Sequence, residues 1–195
     1  MFLVTSLLIA LLVALVRGGR IRSFARIEVR YPFLILGGLA LKILIFSAPW
    51  KEAVGPGQVI SRILYVLSMA LVLGGIYSNR QIPGLKLMGL GVLFNFLAIA
   101  ANGGYMPLSA VGVAKLQVSP LPGTMLLNEP RTQAIVVTES TRLWFLGDVI
   151  PLPDMLPVKM MSVGDIVLCL GVFCGTQRIM LREGPMHKEG TGACR

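Results

Sequence analysis

Charged residues are scarce in this chain of 195 residues. They make up 14% of the sequence, whereas about 25% is usual in a soluble domain, and 55% of the residues are hydrophobic. The mean hydropathy of +0.78 points the same way. This composition excludes an ordinary water-soluble domain and is typical of a membrane protein.

The side chains that build disulfide frameworks, metal sites and catalytic centres are also few. The chain has three cysteines and one histidine, and it contains no nucleophile elbow and no phosphate-binding loop. The single histidine, His187, lies in the polar C-terminal tail, and Cys169 and Cys174 lie in an apolar run where small thiols usually pack. We therefore expect no metal and no cofactor. An enzyme is the weakest function class, because no nucleophile, base and orienting group occur together.

Apolar segments predict an all-α, polytopic transmembrane bundle in a single domain that covers residues 1–195. The five predicted spans are 1–16, 31–50, 59–77, 85–101 and 162–178. Between the last two spans, residues 103–161 hold seven of the 12 prolines, so we predict a mostly irregular outer segment that does not cross the membrane. Its stretch 134–150 mixes β-branched and aromatic residues. We expect that stretch to be ordered, either as a short strand followed by a half-buried helix or as an interfacial segment.

Basic residues predict the orientation of the bundle. The first apolar run has no basic residue before it and five arginines soon after it, the reverse of a secretory signal, so we expect a retained helix with an external N-terminus and a cytoplasmic C-terminus. The eleven basic residues assigned to the inside are Arg17, Arg20, Arg22, Arg26, Arg30, Arg80, Lys86, Arg178, Arg182, Lys188 and Arg195. The six assigned to the outside are Lys51, Arg62, Lys115, Arg131, Arg142 and Lys159. The inside therefore carries the excess that cytoplasmic loops usually show.

The fourth span ends in the sequence NGGYMP at residues 102–107. Glycine after the last helical residue and a proline soon after it indicate a helix stop. An alternative is that Gly103 and Gly104 let backbone amides face a ligand. Asn95 and Asn102 are seven residues apart and so lie on one helix face, and an amide in the hydrocarbon needs a partner, so we expect Asn95 to be bonded across helices.

The fifth span opens with the sequence SVGD, which matches a capping box before an apolar run. In that interpretation Ser162 caps the helix and Asp165 faces its positive end. The alternative is a functional carboxylate, because an acid just inside the membrane often lines a polar pathway or pairs with a cation. Gly164, Gly171 and Gly175 predict a close-packed helix face rather than a dimerisation site.

Three other charged positions have two interpretations each. Asp148, in the sequence LGDVIP, is either a turn residue bonded to its own backbone or a second functional acid. Lys42 lies within the second span and either extends toward the interface or pairs with one of the acids. Arg22, Arg26 and Arg30 are spaced four apart and either mark the topology or bind anionic lipid headgroups.

The order of NGGYMP at 102–107, VTESTRLWFLGDVIPLP at 137–153 and SVGDIVLCLGVF at 162–173 resembles an uncharacterised family of small bacterial integral membrane proteins. The resemblance extends over the chain and is specific between about residues 102 and 173. It implies a location in the bacterial plasma membrane and a helical bundle with an outer segment. It implies no activity, ligand or catalytic residue.

Two functions are consistent with these features. The first is a membrane protein that binds or conducts a small polar solute or ion at an outward-facing site. The predicted site consists of Asn95, Asn102, Gly103, Gly104, Asp148, Asp165 and Lys42, with the two asparagines and two aspartates close together at the outer membrane boundary. The second is an accessory or scaffold subunit whose glycine-rich faces dock other membrane protein subunits. The expected surroundings are a lipid bilayer, and we expect no nucleic acid partner because the basic residues flank apolar runs.

Overall fold

Seven α-helices and five short β-strands form the described part of the chain in a computed structural model, which describes residues 2–54, 58–115, 125–126, 134–153 and 160–181. The helices are α1 (Phe2–Val16), α2 (Pro32–Ile45), α3 (Ala48–Val54), α4 (Val59–Ser78), α5 (Leu85–Ala101), α6 (Ala110–Lys115) and α7 (Val163–Met180). Two short 3-10 helices cover Ile21–Arg26 and Trp144–Leu146. The fold is therefore mostly helical, as predicted.

The long helices coincide closely with the predicted spans, with one difference. By length and composition, α4 and α7 can each cross a membrane, whereas α1 and α5 are shorter apolar helices. The second predicted span is not one helix, because α2 and α3 meet at a bend of 62° and together count as a third candidate. Pro49 stands at the start of α3, where its missing N–H and its restriction of the preceding residue interrupt the helix.

Glycines hold α5 and α7 in close contact. A Cβ atom on Gly164 would clash with the carbonyl oxygen of Gly91 at 2.6 Å, and one on Gly175 would lie 3.1 Å from the Cα atom of Gly84. Gly171 packs in the same way on Met88, whose backbone nitrogen would be 2.6 Å from the added carbon. The predicted close-packed face of α7 is thus confirmed, and the pairing makes α5 and α7 antiparallel.

Polar contacts join α1 to α7. The hydroxyl of Ser6 donates to the Cys169 carbonyl at 3.0 Å, and Arg17 Nη1 donates to Gln177 Oε1 at 3.1 Å. The same Gln177 side chain donates to the Ala10 carbonyl at 2.7 Å. Because residue numbers rise together in these pairs, α1 and α7 run parallel.

α4 packs between α2 and α5 and is antiparallel to both. On the α2 side, a Cβ atom on Gly38 would lie 2.6 Å from the Ser68 carbonyl oxygen, and one on Gly75 would lie 3.2 Å from the backbone nitrogen of Ile35. On the α5 side, the start of α4 lies against residue 104 and its end against residue 89. The five long helices therefore alternate in direction along the chain, as consecutive membrane spans do.

This alternation gives the bundle two chemically different ends. We call the end where α1, α4 and α7 finish the basic end, because its described residues include Arg17, Arg20, Arg22, Arg26, Arg30, Arg80, Lys86 and Arg178. We call the opposite end the sheet end. There α4 begins, α5 ends, and the segment between α5 and α7 forms the strands.

A five-stranded sheet replaces the mostly irregular segment that the sequence predicts, so the all-α assignment is wrong for this part of the chain. The strands are β1 (Met106–Leu108), β2 (Met125–Leu126), β3 (Ala134–Val136), β4 (Asp148–Pro151) and β5 (Met160–Ser162), in the order β2-β3-β1-β4-β5. β1 runs parallel to β3 and β4, and the two outer pairs are antiparallel. Strands of two to four residues carry too little alternation for a sequence pattern to identify them.

The stretch 134–150 is ordered, as expected, but it matches neither of the two predicted arrangements in full. It forms β3, the 3-10 helix Trp144–Leu146 and the start of β4, without the half-buried α-helix.

The protein has two separate hydrophobic cores among the described residues. A small core on the sheet consists of Leu108, Ala134, Val136 and Met160, and the bundle core includes Ile45, Tyr65, Met69 and Ile99. Trp144 and Phe145 are 52% and 51% exposed, so the protein itself does not bury them.

The segment after α1 places Arg22, Arg26 and Arg30 outside any α-helix. A spacing of four aligns side chains on an α-helix, but residues Ile21–Arg26 form a 3-10 helix with three residues per turn, and Arg30 lies beyond it. Asn79, which is fully buried, fixes that segment by accepting from the Arg30 amide and donating to the Arg30 carbonyl, both at 2.6 Å. Arg22, Arg26 and Arg30 therefore do not share one helical face.

Candidate functional site

Ser162 and Asp165 form a capping box at the start of α7. The Asp165 amide donates to Ser162 Oγ at 2.9 Å, and the Ser162 amide donates to Asp165 Oδ2 at 3.3 Å. The predicted cap is confirmed, since a serine and an acid three residues apart satisfy two amides that the first helical turn leaves unpaired. The cap also holds the Asp165 carboxylate at the positive end of the helix dipole.

Asn95 joins this cap from the neighbouring helix. Its Nδ2 donates to Asp165 Oδ1 at 2.9 Å, and its Oδ1 accepts from the Ser162 hydroxyl at 2.8 Å. The expectation that Asn95 is bonded across helices is therefore confirmed. Asn95, Ser162 and Asp165 form a closed network in which both oxygens of the carboxylate accept hydrogen bonds.

Gly164 makes this network possible. A Cβ atom at this position would clash with Asn95 Oδ1 and would lie 2.6 Å from the Gly91 carbonyl oxygen. Only a residue without a side chain lets α5 come close enough for the amide of Asn95 to reach the start of α7.

The sheet places the second acid beside this network. In the antiparallel pairing of β4 and β5, Asp148 stands opposite Ser162, and in the parallel pairing with β1 it stands opposite Leu108. Residues directly opposite in an antiparallel pair have Cβ atoms about 4.5 to 5.5 Å apart. Asp148 is thus a strand residue rather than the turn residue of the simpler interpretation, and its neighbour is the residue that caps Asp165.

Asp148 differs from Asp165 in its surroundings. Burial, followed by the negative charge of Asp165, raises the pKa of Asp148 from its usual 3.8 to about 7. Two neighbouring carboxylates can share a proton or a small cation.

Lys42 and Tyr65 extend the charged region toward α2 and α4. Lys42 Nζ lies 5.6 Å from the centroid of the Tyr65 ring, within the range of a cation–π interaction. Both residues are within electrostatic reach of Asp165. Lys42 makes no ion pair with an acid among the described residues. It therefore interacts with Asp165 through the electrostatic field, and direct pairing, one of its two interpretations, is not formed there.

Asn102, Gly103 and Gly104 form a helix stop and do not join the acids. Gly103 and Gly104 have φ of 64° and 93°, and their amides donate to the Ala100 and Ile99 carbonyls. These amides are engaged in the stop, which corrects the hypothesis that they face a ligand.

The Asn102 side chain binds the segment between β3 and β4 instead of the Asn95 network. Its Nδ2 donates to the Ala98 and Arg142 carbonyls, both at 2.7 Å, and its Oδ1 accepts from the Arg142 amide at 3.1 Å. Asn102 therefore ties the segment before β4 to the end of α5. The structure brings together Asn95, Asp148 and Asp165 from the predicted set, with Lys42 at a distance.

Arg62 is a residue whose role sequence reasoning missed. Its Nη1 donates to the Gly103 carbonyl at 3.3 Å, and its guanidinium carbon lies 5.3 Å from the centroid of the Tyr105 ring. Its Nε is buried and has no hydrogen-bond partner within the described ranges. A signal was present, since a charge one turn inside an apolar run is unusual.

The cavities of about 450, 620 and 730 Å³ are lined by residues other than Asn95, Asp148 and Asp165. In the described part of the chain no group of three or more His, Cys, Asp or Glu side chains is placed to hold a metal ion.

Comparison with known proteins places the chain in a family. The family described as "Family of unknown function (DUF5317)" matches residues 26–177. The chain belongs to this family. It is also 31% identical, over 168 residues, to an uncharacterized protein of Thermotoga maritima, a match that covers 85% of this chain and 84% of the relative. No solved structure matches the chain. These comparisons give this DUF5317 member no activity and no ligand.

Proposed function

We propose that this DUF5317 member is a five-span protein of the bacterial plasma membrane. It binds a small cation, either a proton or an inorganic cation, at an outward-facing pair of carboxylates. The observation that carries the proposal is the pairing of β4 with β5. It sets Asp148 beside the network in which Asn95 and Ser162 hold Asp165.

Exposed apolar side chains support five spans rather than two or three. α1 exposes eight large apolar residues, among them Leu8, Leu12 and Val16, and outward-facing leucines also line α2, α4 and α5. Water would not tolerate so large an apolar surface around a bundle, whereas lipid would. α1 and α5 are about 22 and 25 Å long, and flanking basic residues or local thinning can match such lengths to a bilayer.

The unequal charge of the two ends supports the orientation. The basic end carries eight described Lys or Arg residues, whereas the described positions at the sheet end include Lys51, Arg62, Lys115 and Arg142. Cytoplasmic loops carry the excess of basic residues, so the basic end faces the cytoplasm and the acid pair faces outward.

Topology reporters test the membrane part of the proposal. A reporter fused after Arg195 is active in the cytoplasm, and replacement of Arg17, Arg20 and Arg22 by neutral residues raises the fraction of inverted molecules. A C-terminal reporter that is active only outside the cell would overturn the orientation.

Infrared spectroscopy of the carboxyl groups tests the cation site. In nanodiscs, one protonated carboxyl band disappears as the pH rises through about 7, and the Asp148→Asn variant lacks it. The matched control is Glu139→Gln, an exposed acid on the same end, which keeps the band. If sodium chloride lowers the midpoint relative to choline chloride at equal concentration, the site takes an inorganic cation; an unmoved midpoint identifies a proton site. The cation proposal fails if Asp148→Asn and the protein with Asp148 have the same spectra.

The structure supports the scaffold hypothesis less well than the cation site. Its docking faces were the glycine-rich helix surfaces, but Gly164, Gly171 and Gly175 of α7 pack against α5 within the chain. A stoichiometric partner after purification in mild detergent remains its test.

A further inference from the structure

A lateral groove at the basic end is not part of the acid site. It lies between α4 and α5, has a volume of about 730 Å³, and opens beside the exposed Leu90 and Leu93. Its walls are apolar over most of their length, with Leu73 and Ile76 on α4 facing Leu90 and Leu93 on α5. From residue 85 to residue 93 the groove follows α5 for about 12 Å.

Two cations stand at the cytoplasmic mouth of this groove. Arg80 follows α4 and Lys86 opens α5, and both line the groove and are exposed. The Arg80 guanidinium carbon lies 4.5 Å from the centroid of the Tyr77 ring, which holds the charge at the mouth. Neither cation makes an ion pair within the described ranges of the chain.

A polar cavity adjoins the groove at the same place. It has a volume of about 620 Å³ and shares Tyr77 and Arg80 with the groove. Arg30, Tyr31, Ser78 and Gln81 complete its lining, so it offers one more cation and further hydrogen-bond donors. The buried Asn79 fixes the backbone of Arg30 at the end of α4, which keeps this cavity next to the groove.

We propose that the groove between α4 and α5 binds an anionic glycerophospholipid, with the phosphate between Arg80 and Lys86 and an acyl chain along the apolar wall. The headgroup beyond the phosphate enters the adjoining polar cavity. Unpaired cations beside a lipid-facing apolar groove select an amphiphile with a negative head, and basic pockets on the cytoplasmic side of helical bundles bind such lipids. The inference rests on the membrane insertion and orientation of the proposed function but not on the acid pair.

Native mass spectrometry in mixtures of phosphatidylglycerol and phosphatidylcholine tests this site. The unmodified chain retains phosphatidylglycerol preferentially. In the double variant Arg80→Gln, Lys86→Gln this preference falls by about thirtyfold, as expected for two cations near the membrane surface. The control Arg20→Gln, Arg178→Gln removes the same charge from the same end but from outside these cavities, and it keeps the preference. The proposal is overturned if the first variant keeps the preference or if the control loses it equally.

Two further experiments distinguish a bound phospholipid from a simple anion site. Inorganic phosphate in excess does not displace the lipid if the acyl chain contributes, and complete displacement would identify a simple anion site instead. Leu90→Trp fills the groove while keeping both cations, so it also lowers retention of phosphatidylglycerol, and unchanged retention would overturn the role of the groove. The infrared titration of Asp148 in these variants stays unchanged, because that residue lies at the opposite end. Failure of the lipid site and failure of the cation site are therefore separable.

Discussion

Replacing Asp148 with asparagine is expected to remove most of the pH dependence of stability between pH 5 and pH 8. Asparagine has nearly the shape of aspartate but cannot ionise. The variant therefore has no buried negative charge at this position and no repulsion of that charge by Asp165. The strand pairing of β4 uses backbone groups and does not depend on the carboxylate.

The magnitude follows from the raised pKa. Because the folded protein binds this proton more tightly than the unfolded chain, the stabilisation is complete below about pH 3.8 and is lost as the pH rises through about 7. Each pH unit over which only the folded protein holds this proton lowers the free energy of unfolding by about 1.36 kcal/mol. Because the folded pKa is about 7, nearly two such units lie between pH 5 and pH 8. The protein with Asp148 should therefore lose about 2 to 3 kcal/mol over that interval, and Asp148→Asn should not.

Thermal unfolding in a neutral detergent, followed by circular dichroism at several pH values, measures this difference. Glu139→Gln is the control, since it removes an exposed acid from the same end and should follow the protein with Asp148. Parallel pH profiles for Asp148→Asn and the protein with Asp148 would refute the reasoning, because they would show that Asp148 titrates alike in the folded and unfolded chains.

Three other predictions concern the helix cap, the contact between α5 and α7, and the position of Trp144. Ser162→Ala removes the cap and a donor to α5 and should lower the free energy of unfolding by about 0.5 to 2 kcal/mol in chemical denaturation, and no loss would mean that the network is not formed. Gly164→Ala should lower the thermal midpoint because its Cβ meets α5, whereas Gly74→Ala, in open space on α4, should keep or raise it; equal effects would contradict the close approach. With Trp50 replaced by phenylalanine, the fluorescence of the exposed Trp144 should be quenched by lipids brominated near the headgroup, and quenching by a water-soluble quencher alone would place it outside the interface.

Local sequence was sufficient for the features that depend on neighbouring residues. The capping box at Ser162 and the helix stop at Gly103 and Gly104 follow from hydrogen bonds over three to five residues, so the pattern alone predicts them. The long apolar runs likewise predicted where the helices lie, because burial in lipid requires the whole segment to be apolar. The glycine spacing of α7 predicted a close-packed face but not that α5 would pack on it. Glycines indicate where another helix can approach the backbone, but they do not indicate which helix does so.

Tertiary structure decided the rest. The sheet joins strands of two to four residues from distant parts of the segment between α5 and α7, and no local pattern records which of them pair. That pairing sets Asp148 opposite Ser162, so the raised pKa of Asp148 is a property of the fold and not of its own sequence. Asn102 illustrates the same limit, because it shares a helix face with Asn95 but finds its partner in Arg142. Helical periodicity determines which way a side chain points. Its hydrogen-bond partner is determined by the segment that the tertiary fold places beside it.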